Sequence, residues 1–310
     1  LVHPALEREQ WSREQWETWQ QERLSYVLHR AANHVPYYRD MWSQRRQKGD
    51  RSSWEYLENW PLLKKDDVST HPKAFVADDC NLKRMYNNHT SGTTGTPIDT
   101  FITRENLREW FALLDARMRK WYGVSRHDRW AIIGGQLVTP VHAKEPPFWI
   151  YVGGLNQLYI SAQHISPQNA APIIEALGEF APTHMVVYPS SASVIAYEGI
   201  KKSIDFPDLE VIFSNADILR EDHREVISEA FSCPVVNTYG MSEYVAAASE
   251  CKCQNMHIWP EVGWIEILQD KADTHVSDGK VGRLVSTSLL NQNMPLIRYE
   301  TGDRACWKEN

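Results

Sequence analysis

Residues 90–97, Thr-Ser-Gly-Thr-Thr-Gly-Thr-Pro, interleave hydroxyl side chains with glycines and contain no bulky side chain. Glycines let backbone N–H groups approach an anion closely, and Ser and Thr hydroxyls add further hydrogen-bond donors. Such a loop suits the β- and γ-phosphates of a nucleotide. It is not a Walker A loop, because no Gly-Lys-Ser or Gly-Lys-Thr follows. Taken alone, the segment is explained equally well by a polar surface turn.

A second segment, residues 237–243, follows a predicted strand and has the sequence Asn-Thr-Tyr-Gly-Met-Ser-Glu. In open α/β sheets, ligands bind at the carboxyl ends of the strands. Tyr239 can stack on a base, Ser242 can donate to a phosphate, and Glu243 can bind Mg²⁺ through oxygen. A strand-to-helix turn with a surface acid is the favoured interpretation when this segment stands alone.

A third segment, residues 298–303, places Asp303 after a Thr-Gly turn. A rigidly held carboxylate can accept hydrogen bonds from both hydroxyls of a ribose. By itself the segment predicts no more than an aspartate in a β-hairpin. The three segments in this order are far more specific than any one of them.

Together the segments resemble the motifs of the adenylate-forming superfamily, which contains acyl-CoA synthetases, peptide-synthetase adenylation domains and luciferases. Residues 90–97 look like its phosphate loop, residues 239–243 like its adenine and Mg²⁺ motif, and residues 299–303 like its ribose motif. Residues 34–39 (His-Val-Pro-Tyr-Tyr-Arg) and 295–299 (Pro-Leu-Ile-Arg-Tyr) resemble the phenylacetate–CoA ligase and CapK-like branch. The resemblance spans nearly the whole chain.

The resemblance implies site residues position by position. In the first segment it implies ATP binding by Thr90, Ser91, Gly92, Thr93, Thr94 and Gly95. Around the adenine it implies Ser214, Asn215, Ala216, Asn237, Thr238, Tyr239 and Gly240. The remaining assignments are Ser242 near the α-phosphate, Glu243 on Mg²⁺ and Asp303 on the ribose. Ser242 and Glu243 are thus the residues expected to take part in catalysis.

The implied activity is ATP-dependent activation of a carboxylic acid as an acyl-AMP, followed by thioester formation with coenzyme A. Two alternatives stay open. One passes the acyl group to a carrier protein or another nucleophile in polysaccharide or secondary-metabolite biosynthesis. The other is a nucleotide-binding relative without turnover, and it is kept open by Thr96 and Ile98, which stand where many family members have lysine. Glu300 also departs from the branch, in which a basic residue is frequent at that position.

The resemblance also bears on what lies around this part of the chain. A C-terminal subdomain with a catalytic lysine would follow residue 303 closely, and we expect it outside these 310 residues. The sequence neither begins with Met nor ends on a terminating pattern, so we expect it to be part of a longer chain. Members of the branch often dimerise, which leaves a homodimer open.

Five cysteines are an odd number for a long chain, which argues against a disulfide scaffold and for a reducing, cytoplasmic compartment. Cys251, Cys253 and His257 follow the second segment, and Cys306 follows the third. Thiolates and an imidazole can form a structural Zn²⁺ site, and some members of the branch have a Cys/His metal site in this region. Because Cys-x-Cys-x₃-His is not a standard zinc-finger spacing, free cysteines and a surface histidine are the favoured interpretation.

Composition and periodicity predict an α/β fold. The net charge of −7, without a Lys/Arg-rich run, argues against a nucleic-acid or anionic-membrane partner. No apolar stretch approaches the ~18 residues of a membrane span. Strands and helices alternate over residues 130–238, which predicts a largely parallel sheet flanked by helices. We predict an N-terminal helical segment over 1–85, an ATP-binding core over 86–262 and a small β-rich subdomain over 263–310.

Individual elements follow from spacing. A helix is predicted over residues 8–34, ended by Pro36, with irregular structure over 43–60. Thr103 is predicted to cap a helix whose inward face is Leu107, Trp110, Phe111, Leu114, Met118 and Trp121. Short strands are predicted over 264–268, 282–287 and 295–299. Candidates for the wall of a substrate pocket are Trp130, Gly134, Gly135, His164 and Tyr188.

Overall fold

The computed structural model describes residues 1–89 and 97–308. Its helices are α1 Val2–Glu7, α2 Arg13–His34, α3 Pro36–Gln47, α4 Lys65–Thr70, α5 Arg104–Leu114, α6 Ala170–Phe180, α7 Pro189–Lys201 and α8 Glu221–Phe231. Its strands are β1 Tyr86–His89, β2 Asp99–Ile102, β3 Trp130–Gly134, β4 Trp149–Val152, β5 Gln157–Ser161, β6 His184–Val187, β7 Val211–Ser214, β8 Val235–Val236, β9 Thr238–Gly240, β10 Ala247–Glu250, β11 Met256–Ile258, β12 Gly263–Leu268, β13 Gly282–Ser288 and β14 Tyr299–Ala305.

The chain forms two compact units. The first contains Leu1–Ala112, Met241–Ala247 and Ile258–Asn310, and the second contains Leu113–Gly240 and Ala248–His257. Because the chain leaves and re-enters each unit, this grouping is not a division into consecutive segments. The boundaries after residues 85 and 262 stay a prediction. None of the helices within residues 1–89 and 97–308 is both long and apolar enough to cross a lipid bilayer.

The second unit is built on a six-stranded sheet in the order β4-β5-β3-β6-β7-β8. Its strands are parallel except β4, which pairs antiparallel with β5. β6 and β7 are buried along their whole length, as expected for apolar runs covered on both faces. Helices α6, α7 and α8 contribute Ile173, Ile195 and Ile227 to the same core. Full burial of each such side chain stabilises the fold by about 1.5–3 kcal/mol. The predicted α/β class is confirmed.

The first unit contains an antiparallel sheet in the order β12-β13-β14, which confirms the small β-rich part. Helix α2 ends at His34 as predicted, but it begins at Arg13, after a capping box between Ser12 and Gln15, and not at residue 8. Pro36 then starts α3, so the prediction of irregular structure is wrong for its first residues, 43–47. The strand predicted over 295–299 is also wrong in its bounds. Arg298 has φ +49°, which breaks the extended backbone, and β14 begins only at Tyr299.

Helix α5 begins where predicted but faces a different direction. Asn106 N–H donates to the Thr103 hydroxyl, which confirms the cap. The predicted inward face is only partly correct, since Phe111 is 49% exposed whereas Asn106 is buried. The amide oxygen of Asn106 accepts hydrogen bonds from Thr103 and Asn293, and this turns the Asn106 side of the helix inward. After α5 the chain continues as a π-helical turn over Asp115–Arg119, in which Met118 is buried.

Candidate functional site

The first predicted segment lies mostly outside the described residues. The contacts of Thr90, Ser91, Gly92, Thr93, Thr94, Gly95 and Thr96 therefore stay predictions. On its two sides β1 and β2 pair antiparallel, and a contact of 2.5 Å joins His89 Nδ1 to Asp99 Oδ1 across this pair. Ile98 is fully buried. Packing therefore accounts for the apolar side chain at position 98.

Five parallel strands end along one edge of the sheet in the second unit, at Gly134, Ser161, Val187, Ser214 and Val236. This is the edge at which open α/β sheets bind ligands. The residues expected around adenine follow the last two of these strands. The order of strands and polar loops in the sequence predicted these strand ends, whereas the assignment of these residues to adenine came from the family resemblance and stays a prediction.

Hydrogen bonds tie the two segments that are expected around adenine in the second unit to each other. The buried Ser214 hydroxyl donates to Asn237 Oδ1 at 3.2 Å and accepts from Thr238 N–H at 3.3 Å. The Thr238 hydroxyl donates to the Ser214 carbonyl. Asn215 N–H donates to Val187 at 2.8 Å, and Ala216 has φ +58°, so the chain turns sharply after β7. Asn215, Ala216 and Gly240 are exposed, and Asn237, Thr238 and Tyr239 are half-buried.

A buried ion pair beneath Asn237 was not predicted. Glu250 accepts from Arg224 at 3.0 and 3.1 Å and from the Asn237 N–H at 2.8 Å. Arg224 also donates to the Val235 carbonyl, so one guanidinium connects β8 and β10. A cavity of about 390 Å³ lies beside the pair and is also lined by Tyr122 and other residues of the second unit. No local sequence pattern marks this contact, because its members come from distant parts of the chain.

In the first unit, residues of the second motif contact the β1–β2 hairpin. The Ser242 carbonyl accepts from the Thr100 hydroxyl at 3.0 Å. Asn88 Nδ2 donates to the Tyr244 hydroxyl at 2.5 Å, and Trp110 packs edge-on against the Tyr244 ring. The Ser242 residue is exposed, so its hydroxyl is accessible to a ligand. These contacts fix the backbone on both sides of Glu243.

Glu243 is buried and bonded to the third motif. The Tyr299 hydroxyl donates to Glu243 Oε1 at 3.2 Å, and Tyr299 itself is fully buried. The pKa of Glu243 is raised, mainly by burial and to a smaller extent by the charge of Asp303. Its own backbone N–H, the Tyr299 hydroxyl and the charge of Lys65 act in the opposite direction but do not outweigh burial. Burial and the adjacent Glu243 charge raise the pKa of Tyr299, so this hydroxyl stays protonated as a donor. The contribution of Tyr299 to the site was not predicted.

Asp303 follows a β-bulge rather than a hairpin turn. The register between β13 and β14 shifts between Arg283 and Val285, opposite the Thr-Gly-Asp sequence. Gly302 has φ +86°, a backbone conformation that residues with a side chain rarely adopt. The Thr301 hydroxyl donates to the Leu284 carbonyl and accepts from the Asp303 N–H. Asp303 is exposed at this bulge.

The unusual acid at position 300 has a partner within the same sheet. Glu300 forms an ion pair with Arg283, and the two side chains are 22% and 24% exposed. The pair sits between the neighbouring strands β13 and β14. Glu300 is therefore engaged in the sheet, which gives a structural reason for an acid at this position.

Two of the predicted pocket-wall residues have side chains that are engaged within the fold. Trp130 starts β3, so it lies at the amino end of the strand and stacks on His184 with ring planes 5° apart. His164 is buried with hydrogen-bond distances of 3.1 Å to Ser161 Oγ and to the Pro140 carbonyl, and it stacks on Phe148. Both side chains are thus used within the fold. Gly134, Gly135 and Tyr188 do lie at the carboxyl edge.

The donor types among the described residues can be compared with what Mg²⁺ and Zn²⁺ require. Mg²⁺ typically uses one or two carboxylates together with phosphate oxygens, and the buried Glu243 carboxylate offers such oxygen donors. No group of three or more His, Cys, Asp or Glu side chains within residues 1–89 and 97–308 is arranged to hold a metal ion. Zn²⁺ binding by Cys251, Cys253, His257 and Cys306 is therefore not supported. Cys251 lies in a turn in which its N–H donates a hydrogen bond to the Asn255 carbonyl. The His257 ring packs edge-on against Trp121.

A mainly parallel sheet with polar loops at its carboxyl edge is the architecture of α/β proteins that bind ligands at that edge. Residues 18–290 match the model of the AMP-binding enzymes, and the chain belongs to that family. The superfamily expected from the three motifs is thus confirmed.

Curated relatives agree with the branch. Protein CapK of Staphylococcus aureus is 26% identical over 285 residues, which cover 92% of this chain and 61% of CapK. The phenylacetate-coenzyme A ligase of Thermus thermophilus is 26% identical over 319 aligned residues, which cover 98% of this chain and 68% of that enzyme.

A solved structure of 2-hydroxyisobutyryl-CoA ligase, in complex with 2-HIB-AMP and CoA, has a TM-score of 0.74 and 20% identity to this chain. The similarity covers 96% of this chain and 65% of the ligase. At this identity it establishes the fold. The chain spans between 61% and 68% of the length of these three relatives.

Proposed function

We propose that this chain binds Mg·ATP and activates a carboxylic acid as an acyl-AMP, and that the acyl group then passes to the thiol of coenzyme A. Membership in the AMP-binding family supports this, as do the likenesses to phenylacetate-coenzyme A ligases and to 2-hydroxyisobutyryl-CoA ligase. The observation that carries the proposal is the hydrogen bond between Tyr299 and Glu243. It joins the second and third motifs, whose two residues are 56 positions apart in the chain.

In the proposed reaction a carboxylate oxygen attacks the α-phosphorus of ATP. A new P–O bond forms, and the bond to the bridging oxygen breaks, so that pyrophosphate leaves with the electron pair. The protein has to position the reactants and stabilise charge. When bound, Mg²⁺ neutralises charge on the phosphate oxygens, and Glu243 is the residue proposed to hold it. Ser242 is proposed to donate to the α-phosphate, and Asp303 to accept from the ribose hydroxyls.

The acyl part of the substrate is proposed to lie at the ends of β3, β5 and β6. Tyrosine hydroxyls lie close to two glycines at this point. A Cβ on Gly134 would lie 2.4 Å from the Tyr159 hydroxyl, and a Cβ on Gly135 would lie 3.1 Å from the Tyr188 hydroxyl. Tyr159 is fixed by the Gln136 N–H, which donates to its hydroxyl at 2.9 Å. The two phenols therefore pack closely over the glycine backbone, and their hydroxyls are proposed to offer polar contacts to the acyl group.

The test has two parts. Binding of ATP to this chain is measured by calorimetry with and without Mg²⁺, and carboxylate-dependent ATP–pyrophosphate exchange is measured on the full-length protein with a panel of acids. We expect Glu243→Gln to lower Mg·ATP affinity by about tenfold or more, by analogy with loss of a metal-binding group. Asp270→Asn removes an exposed carboxylate of the same unit and is the matched control. Unchanged Mg·ATP affinity in Glu243→Gln would contradict the site.

The acyl acceptor is decided by product analysis. With an acid that supports exchange, formation of an acyl-CoA supports the thioester step. Exchange without a CoA product indicates a carrier protein or another nucleophile as acceptor. Mg·ATP binding without exchange for any acid indicates a relative without turnover.

A further inference from the structure

Arg298, which precedes the third motif, is buried with every side-chain N–H engaged. Its side chain is 4% exposed. Nε and Nη2 donate to Glu266 at 3.1 and 3.0 Å, and both Nη atoms donate to Asp273 at 2.9 and 2.6 Å. Nη1 also donates to the Trp60 carbonyl at 3.0 Å. A guanidinium has five N–H donors, and all five have acceptors here. Arg298 therefore has no donor left for a ligand.

The backbone of Arg298 adopts a conformation that needs such support. Its φ of +49° lies in the left-handed region, which costs a residue other than glycine of order 1–3 kcal/mol. Its N–H donates to the Thr287 hydroxyl at 2.9 Å, and its carbonyl accepts from Leu63 N–H at 3.0 Å. The Leu63 carbonyl in turn accepts from Glu300 N–H at 2.9 Å. The residues on both sides of Tyr299 are therefore held in place.

The direction of Tyr299 follows from this turn. The left-handed residue ends the irregular segment before β14, and the next side chain points into the unit, where Tyr299 is fully buried. There its hydroxyl donates to Glu243 Oε1 at 3.2 Å. A different φ at Arg298 would redirect the tyrosine and remove this bond.

We propose that Arg298 is a positioning residue: its saturated guanidinium holds the left-handed turn that directs the Tyr299 hydroxyl onto Glu243. The consequence for Mg·ATP rests on the proposed function. The effect on the backbone around Glu243 is independent of that function. Arg298 touches neither substrate nor metal in this scheme and acts through Tyr299.

Two variants and one matched control test the proposal. Arg298→Lys keeps the charge but loses the planar fork that serves two carboxylates at once. Tyr299→Phe removes only the hydroxyl. Arg304→Lys alters a bidentate pair between Arg304, in the following strand β14, and Asp270, and both of its members are at least 50% exposed.

The first readout is the ratio of ATP affinities with Mg²⁺ and with a chelator. Loss of a group that orients a metal-binding residue typically weakens metal binding by 10–100-fold. We expect Arg298→Lys and Tyr299→Phe each to lower the Mg²⁺-dependent ratio about tenfold, and the double variant to be no worse than either, because both act through one contact. Arg304→Lys should leave the ratio unchanged. Additive effects in the double variant would overturn the proposal.

The second readout is amide hydrogen exchange without nucleotide, which does not depend on the proposed function. Arg298→Lys should raise exchange in peptides covering both 299–303 and 241–244, while Tyr299→Phe should raise it mainly in 241–244. Exchange that rises evenly over the whole chain, or that leaves 241–244 unchanged in Arg298→Lys, would show a merely structural role and overturn the proposal. If the wild-type chain shows no Mg²⁺-dependent ATP binding, the proposed function fails, and hydrogen exchange still decides the role of Arg298.

Discussion

His184 should make the fold acid-sensitive. It is fully buried at the start of β6, between Trp130 and Phe213, and its Nε2 accepts from Arg119 Nε at 3.1 Å. Burial, reinforced by the Arg119 charge, lowers the pKa of His184 from 6.5 to about 3. The unfolded chain therefore takes up a proton near pH 6.5, and the folded chain does not. The stabilisation is present above that pH and is lost as the pH falls.

The size of the effect follows from proton linkage. Each pH unit between the two pKa values is worth about 1.4 kcal/mol, so the unfolding free energy should fall by about 2 kcal/mol between pH 7 and pH 5 from this group alone. Urea unfolding followed by tryptophan fluorescence measures it. His184→Gln keeps an acceptor for Arg119 but cannot titrate. Between pH 7 and pH 5 its unfolding free energy should therefore fall by about 2 kcal/mol less than that of the wild type. His142→Gln, at an exposed position, should behave like the wild type. Equal pH dependence in His184→Gln and wild type would refute the reasoning.

Two further predictions concern other buried contacts. Glu250→Gln should lower the unfolding free energy by about 2 kcal/mol, because it leaves the partly buried Arg224 without its carboxylate partner. Mg·ATP affinity should fall as well. Unchanged stability in urea would contradict this. Gly263→Ala should lower the unfolding free energy by about 3 kcal/mol, because the new Cβ would lie 1.7 Å from the Val245 carbonyl oxygen. Gly154→Ala is the control: its Cβ would meet nothing within 4 Å, so the melting temperature should stay nearly unchanged.

The fold was largely predictable because its signals are local. β6 and β7 are short apolar runs between helical segments, and their burial follows from composition alone. Polar loops after strands likewise predicted where Ser214 and Asn237 lie. The face of α5 was not predictable in the same way. The hydrogen bonds of Asn106, one of them to Asn293, compete with hydrophobic periodicity, and a helical pattern does not show which of the two decides the orientation.

The candidate site was predictable only in its residue types. The motifs named Glu243 and Asp303, but the bond from Tyr299 to Glu243 joins positions 56 apart and has no local signature. The same holds for Arg224 and Glu250, 26 positions apart. The possible Zn²⁺ site illustrates the same limit, since Cys and His residues close in sequence need not converge in space, and free cysteines remain the favoured interpretation. Long-range polar contacts depend on the completed fold, so spacing alone does not reveal them.

Largely buried ion pairs occur next to the proposed ligand-binding motifs in both units, and there is a physical reason for this. A loop that must present polar groups to a ligand cannot be held by apolar packing on that side, so its rigidity has to come from hydrogen bonds behind it. In the second unit Glu250 holds the Asn237 N–H, and in the first unit Arg298 holds the turn before Tyr299. Each charge is desolvated and nearly saturated with partners, so neither competes for a bound anion. Replacing such a pair by apolar residues could preserve stability, but it would release the loop, and nucleotide affinity should therefore fall more than the melting temperature.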